Sequence, residues 1–121
     1  MKAIVQNPGE NPQTVDLQGD SLSALQGVVG GYIETVHHEA LEENGITAWA
    51  NEEGLYLSLS PNLVVYGQPI VGPVVFTGHN DEGETIGLTE DQEAIVQAFL
   101  SATTLNDAQR ERIASRIAEM L

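Results

Sequence analysis

Val29-Gly30-Gly31-Tyr32-Ile33-Glu34 is the stretch whose reading decides the fold. Ahead of it, Leu22, Leu25, Val28 and Val29 fall at helical spacing and make one apolar face. The glycine pair stops that helix, because glycine takes the left-handed conformation past a helix end at little steric cost. Tyr32-Ile33-Glu34-Thr35-Val36 is then a strand by composition. The chain therefore passes from a helix straight into a strand, with most of the sheet still to come.

Upstream, Ala3–Gln6 and Thr14–Leu17 read as two strands around the turn-rich Asn7-Pro8-Gly9-Glu10-Asn11-Pro12, a hairpin with a long loop. Asp20 or Ser21 supplies the helix N-cap. Downstream, residues 37–45 are polar and close on an Asn44-Gly45 turn, before a strand at Ile46–Asn51. Asn51-Glu52-Glu53-Gly54 predicts a hairpin connection with Gly54 at positive φ. Leu55, Leu57 and Leu59 alternate with Tyr56, Ser58 and Ser60, which predicts a strand with leucines inward and serines outward. Leu63–Tyr66 fits a helical turn or a short extended piece, broken by Gly67-Gln68-Pro69. Val71–Thr77 is the last strong strand signal, with Pro73 near its start or on an edge, and Gly78–Glu84 reads as an exposed acidic loop.

Two helices follow. Thr89 and Gln92 fit a capping box, with Ile95, Val96, Phe99 and Leu100 as the buried stripe. Asn106 and Gln109 cap a final helix over about residues 107–120, whose apolar seam is Ile113, Ile117, Met120 and Leu121. The predicted fold is α+β: a small, mainly antiparallel sheet of five or six strands, one early helix and two C-terminal helices. Residues 1–104 form the α+β domain, and residues 105–121 form an amphipathic helix that either docks or dimerises.

At 121 residues, 41% of them hydrophobic, the chain suffices for one core. The absence of cysteine excludes disulfides and thiolate chemistry. No apolar run approaches the roughly 18 residues of a membrane span, no signal peptide is visible, and a cytoplasmic location is expected. Charge is the dominant feature: Lys and Arg total 4 against 18 Asp and Glu, a formal net charge of -14. Between Lys2 and Arg110 there is no cationic residue and there are sixteen acidic ones. Direct nucleic-acid binding is disfavoured on this ground, since phosphate contacts need Lys and Arg, and an anionic membrane surface is disfavoured likewise. A basic protein is the electrostatically favoured partner. The alternative is that the acidity serves only solubility or adaptation to salt.

The partner surface expected from this pattern is Glu39, Glu42, Glu43, Glu52, Glu53, Asp81, Glu82 and Glu84. A ligand pocket is expected near Tyr32, Trp49 and Tyr56, where flat side chains can stack a base. A dimer helix would use Arg110, Ile113, Arg116, Ile117 and Leu121. His37, Glu39 and His79 carry metal-ligand chemistry, and in a strand His37 and Glu39 would share a face; three surface histidines in polar loops is the competing reading, and no metal is expected. Asp81-Glu82-Gly83-Glu84 lacks the spacing of an EF-hand loop. No serine sits in a nucleophile elbow, and Gly27–Gly31 follows a helix with no cation near it, so no catalytic residue and no cofactor is expected.

In order along the chain, Met1-Lys2-Ala3-Ile4-Val5, Leu22-Ser23-Ala24-Leu25-Gln26, the glycine-pair stretch, Asn51-Glu52-Glu53-Gly54, Ser60-Pro61-Asn62, Gly72–Gly78 and Leu88–Gln92 resemble the small family catalogued as domain of unknown function 3846. The resemblance covers roughly residues 1 to 100 and departs at His37–Ile46 and in the arginine-bearing last helix. It implies an origin in bacteriophages, plasmids or related mobile elements, and it implies no reaction. The expected function is a non-enzymatic acidic interaction protein that inhibits a basic nucleic-acid-handling host or defence protein by charge mimicry. The alternative is a protein that binds or sequesters a nucleotide-like signal.

Overall fold

The computed structural model describes residues 1–121. Helix α1 (Ser21–Val29) is capped by Asp20, whose carboxylate accepts from the Ser23 N–H at 3.1 Å. Gly30 ends it at φ 79°, and the N–H groups of Gly30 and Gly31 both reach Gln26 O, at 2.9 and 3.2 Å. The two glycines serve different needs. Gly30 supplies the left-handed turn. A Cβ on Gly31 would stand 3.0 Å from Asn51 Nδ2, the atom that donates to Val29 O at 3.0 Å.

The chain then enters a six-stranded sheet in the order β2-β1-β7-β4-β3, with β8 also on β7. Its strands are β1 (Lys2–Gln6), β2 (Gln13–Asp16), β3 (Ile33–Val36), β4 (Ile46–Asn51), β7 (Val74–His79) and β8 (Thr85–Ile86). Every pairing is antiparallel. A separate hairpin, β5 (Pro61–Val65) and β6 (Gln68–Val71), packs through β5 against helices α3 (Glu90–Thr103) and α4 (Asp107–Met120), while the short helix α2 (Glu39–Glu42) packs on β4 and α3. This is the expected α+β architecture with the early helix and two C-terminal helices, plus the four-residue α2.

Period-two alternation divides the sheet residues between two cores. Ile4, Ala48, Ala50, Val74 and Phe76 join Leu41, Leu63, Val96, Phe99 and Leu100 in the larger one. Phe76 meets Phe99 edge-on at a centroid distance of 5.9 Å. Ala3, Val5 and Val75 face the other way, onto Leu25 and Val29 of α1. Asn62 ties the hairpin to the sheet: its Nδ2 donates to Gln6 O and Gly72 O, both at 2.8 Å.

Residues 55–60 correct the sequence reading. They form no strand. Leu57 N–H reaches Glu53 O at 2.9 Å and Leu59 N–H reaches Gly54 O at 3.0 Å, winding the segment into turns, and Leu55 and Leu57 stand about half exposed, at 49% and 50%. The cause is topological: β4 is paired on one side by β3 and on the other by β7, so no open edge awaits a returning strand. Gly54 does not take positive φ; a Cβ there would meet Val71 Cγ2 at 2.8 Å. Leu63–Val65 is extended, in β5. The Tyr66-Gly67 pair, at φ 50° and 75°, is the turn, and Gln68-Pro69 begins β6 rather than breaking the chain. Both central residues at positive φ match a type I′ hairpin. β7 runs on through Gly78 and His79, and β8 follows it as a further strand.

Candidate functional site

One amide side chain gathers three acidic segments. Thr89 Oγ1 accepts from the Gln92 N–H at 3.2 Å, and Gln92 Oε1 accepts from the Thr89 N–H at 2.9 Å, the capping box that starts α3. The other end of the same amide crosses to the α2–β4 turn, where Gln92 Nε2 donates to Asn44 O at 2.9 Å and Gly45 O at 3.1 Å. Gly45 O also accepts the His79 N–H at 2.9 Å, from the end of β7. The start of α3, the end of α2 and the β7–β8 loop thereby meet at Gly45.

Each segment brings three carboxylates: Glu39, Glu42 and Glu43; Asp81, Glu82 and Glu84; Glu90, Asp91 and Glu93. Half of the chain's eighteen acidic residues thus lie on the three segments that meet at this pole. All are exposed except Glu93, which is half-buried and takes the only cationic side chain nearby, Lys2 Nζ at 3.4 Å. Three local devices hold this charge. The N-terminal dipole of α3 favours Glu90 and Asp91. His37 Nδ1 lies 2.8 Å from Glu42 Oε1. Asn80 clasps the loop: its Oδ1 accepts from the Glu82 and Glu84 N–H groups at 3.0 and 2.9 Å, and its Nδ2 reaches Glu84 Oε1 at 3.1 Å. The Asn80 bond holds the Glu84 carboxyl below its ordinary value.

Of the expected partner surface, Glu39, Glu42, Glu43, Asp81, Glu82 and Glu84 lie on these joined segments. Glu52 and Glu53 do not. They follow the opposite end of β4, where Glu52 N–H meets Tyr32 O at 2.8 Å, and with Glu34 and Tyr56 they line a separate groove of about 310 Å³. Glu90 and Asp91 join the pole although the expected partner surface does not include them; no local pattern marks them, since Gln92 places them through a contact 47 residues away.

The residues of the expected aromatic pocket are separated. Tyr56 borders the Glu52–Glu53 groove, and Tyr32 and Trp49 do not line it. Trp49 packs on the opposite face, against the α1 core, and its indole N–H donates to Thr77 Oγ1 at 2.9 Å. The histidines are dispersed too. β3 ends at Val36, so His37 and Glu39 share no strand face; Glu39 opens α2. His79 Nδ1 sits 2.8 Å from Thr47 Oγ1, and no three His, Asp or Glu side chains are placed to hold a metal ion. His38 has a structural place that sequence reading missed: its Nδ1 accepts from the Ala40 N–H at 3.1 Å, capping α2, and its ring stacks on Tyr66 at 4.7 Å.

The last helix keeps its capping box, Asn106 with Gln109, and buries no residue. Ile113 and Ile117 are half-buried, and Met120 and Leu121 are exposed. Arg110 anchors its first turn: the guanidinium pairs with Asp107, donates to Leu105 O at 3.3 Å and lies on the β1–β2 loop, where a Cβ on Gly9 would stand 2.8 Å from Nη2. Gly9 itself holds φ 75°. Arg112 and Arg116 are exposed.

Residues 1–101 match the family described as Domain of unknown function (DUF3846). No curated protein and no solved structure matches the chain. The matched span contains all three acidic segments, and α4 lies beyond it.

Proposed function

We propose, for a chain that belongs to the DUF3846 family, that it is a non-enzymatic interaction protein whose acidic pole engages a basic, nucleic-acid-handling protein by presenting carboxylates where that protein expects phosphates. The observation that carries this reading is the meeting of three segments, which together bear nine carboxylates, at the Gln92–Gly45 junction, with the Lys2 ammonium paired to Glu93. A purely solvating surface has no need of it, because like charges brought together raise the energy of the folded state. A phage or plasmid origin, action on a host or defence protein, and a cytoplasmic site of action belong to the same proposal. No helix of the chain is long and apolar enough to cross a membrane.

The test is affinity capture from host lysate on the immobilised chain, beside a variant carrying Glu42→Gln, Glu43→Gln, Glu90→Gln and Asp91→Asn. The proposal expects a basic nucleic-acid-binding protein on the parent chain at low salt, lost at high salt and absent from the variant. Recovery of no basic protein, or equal recovery on the variant, contradicts it.

Self-association through α4 is part of the proposal as well. A helix with no buried residue, ending in Met120 and Leu121 at 81% and 73% exposure, offers apolar surface to a second copy. Sedimentation equilibrium checks this: a dimer that Ile117→Asp returns to monomer supports it, and a monomeric parent chain contradicts it.

A further inference from the structure

The few cations of this chain are not spent alike. The amino terminus meets Asp16, Lys2 meets Glu93 and Arg110 meets Asp107. Arg112 and Arg116 meet no carboxylate, in a chain that has eighteen. Both line one groove, of about 780 Å³, between the last turn of α3, β5 and α4. Four residues apart, they lie on one side of the helix. Val64, Leu105 and Ile113 add apolar surface to the same groove. Thr104 and Ser115 add hydroxyls to the lining, and Glu111 is its one carboxylate, against the two guanidinium groups.

We propose that this groove binds a small organic oxyanion, with a phosphate or carboxylate against Arg112 and Arg116 and an apolar body against Val64, Leu105 and Ile113. A guanidinium fork matches both oxyanions in geometry and charge. The volume falls within the roughly 300–1,000 Å³ of small-molecule sites. The field of the remaining chain selects the ligand further. A bare inorganic anion gains only the two guanidinium contacts against a net charge of -14, whereas an apolar body adds binding that the field does not oppose. The site is independent of the acidic pole and uses a helix beyond the family match.

The experiment is a titration of the full chain, followed by backbone amide NMR, with adenosine monophosphate and decanoate as probes and inorganic phosphate as control. The proposal expects saturable shifts at residues 103–105 and 109–116, and tighter binding of one organic probe than of phosphate; the tighter probe tells a nucleotide source from an acyl one. Arg112→Gln and Arg116→Gln should each weaken binding on the order of tenfold, as loss of a charge-assisted hydrogen bond does. Should the double variant unwind α4 by circular dichroism, Ser115→Glu adds a second carboxylate to the one Glu111 already brings to the groove and should abolish binding with the helix intact. No saturable shift at millimolar probe, shifts confined elsewhere, phosphate binding as tightly as both organic probes, or affinity unchanged in these variants overturns the proposal.

Discussion

The junction at Gly45 and the docking of α4 are opposite ways of placing charge. At the junction, nine carboxylates stand on segments that Gln92, His79 and the larger core hold in place. On α4, two free arginines ride on a helix with no buried residue, held by half-buried isoleucines and by Arg110 on the Gly9 loop. The difference shows where rigidity is needed. Gathered like charges repel, so they keep their arrangement only on a scaffold whose burial outweighs that repulsion. A pair of cations in an anionic molecule suffers no such penalty and can sit on a weakly docked element.

The sharpest way to break this contrast is to empty the scaffold. Phe76, fully buried against Phe99, should cost about 3–5 kcal/mol as Phe76→Ala, whereas Ile113→Ala on α4 should cost about 1 kcal/mol or less, both read by urea unfolding. Equal losses would place α4 in the core. A smaller effect is expected from Gln92→Ala, which removes the capping-box acceptor and both bonds to the α2–β4 turn; about 1–2 kcal/mol should be lost, with faster amide exchange near Gly45 and none in α4. Gly9→Ala is the mirror experiment. Its Cβ meets the Arg110 guanidinium at a positive φ, so it should cost about 1 kcal/mol and speed exchange in α4 while leaving the pole protected.

The smallest expected effect lies in titration. Glu84 is held below its ordinary value of 4.5 by its hydrogen bond from Asn80, and Asp16 below 3.8 by its hydrogen bond and attraction to the amino terminus. Both folded values are depressed, so their contribution is present in full above the ordinary carboxylate range and fades as pH falls through the lowered values. Asn80→Ala should raise the Glu84 value toward 4.5 and leave Asp16 where it is, as followed by side-chain carboxyl NMR.

What the sequence made legible was what local contacts determine. Both capping boxes, the Asp20 cap and the Gly30 stop involve residues three to five apart, and each was readable. β1, β4 and the start of β7 announce themselves by composition. Helix α2 did not, because four residues are too few for a helical period and its cap is His38 rather than the usual Ser, Thr, Asp or Asn. Residues 55–60 misled because alternation says which way side chains would face in a strand, not whether a sheet edge is free to receive it. The acidity was plain in the sequence, but its partition was not: Glu52 and Glu53 fall at the far end of β4, while Glu90 and Asp91 reach the pole only through Gln92.

The central claim is that this partition, and not net charge alone, decides what the molecule touches. An octa-arginine peptide titrated into the labelled chain, with every amide followed by NMR, tests it most directly. The account predicts shifts concentrated at residues 39–45, 80–84 and 89–93, weakening steeply with salt, with Glu10, Asp20, Glu52 and Glu53 little moved. Shifts spread in proportion over all eighteen carboxylates, or centred on Glu52 and Glu53, would contradict it.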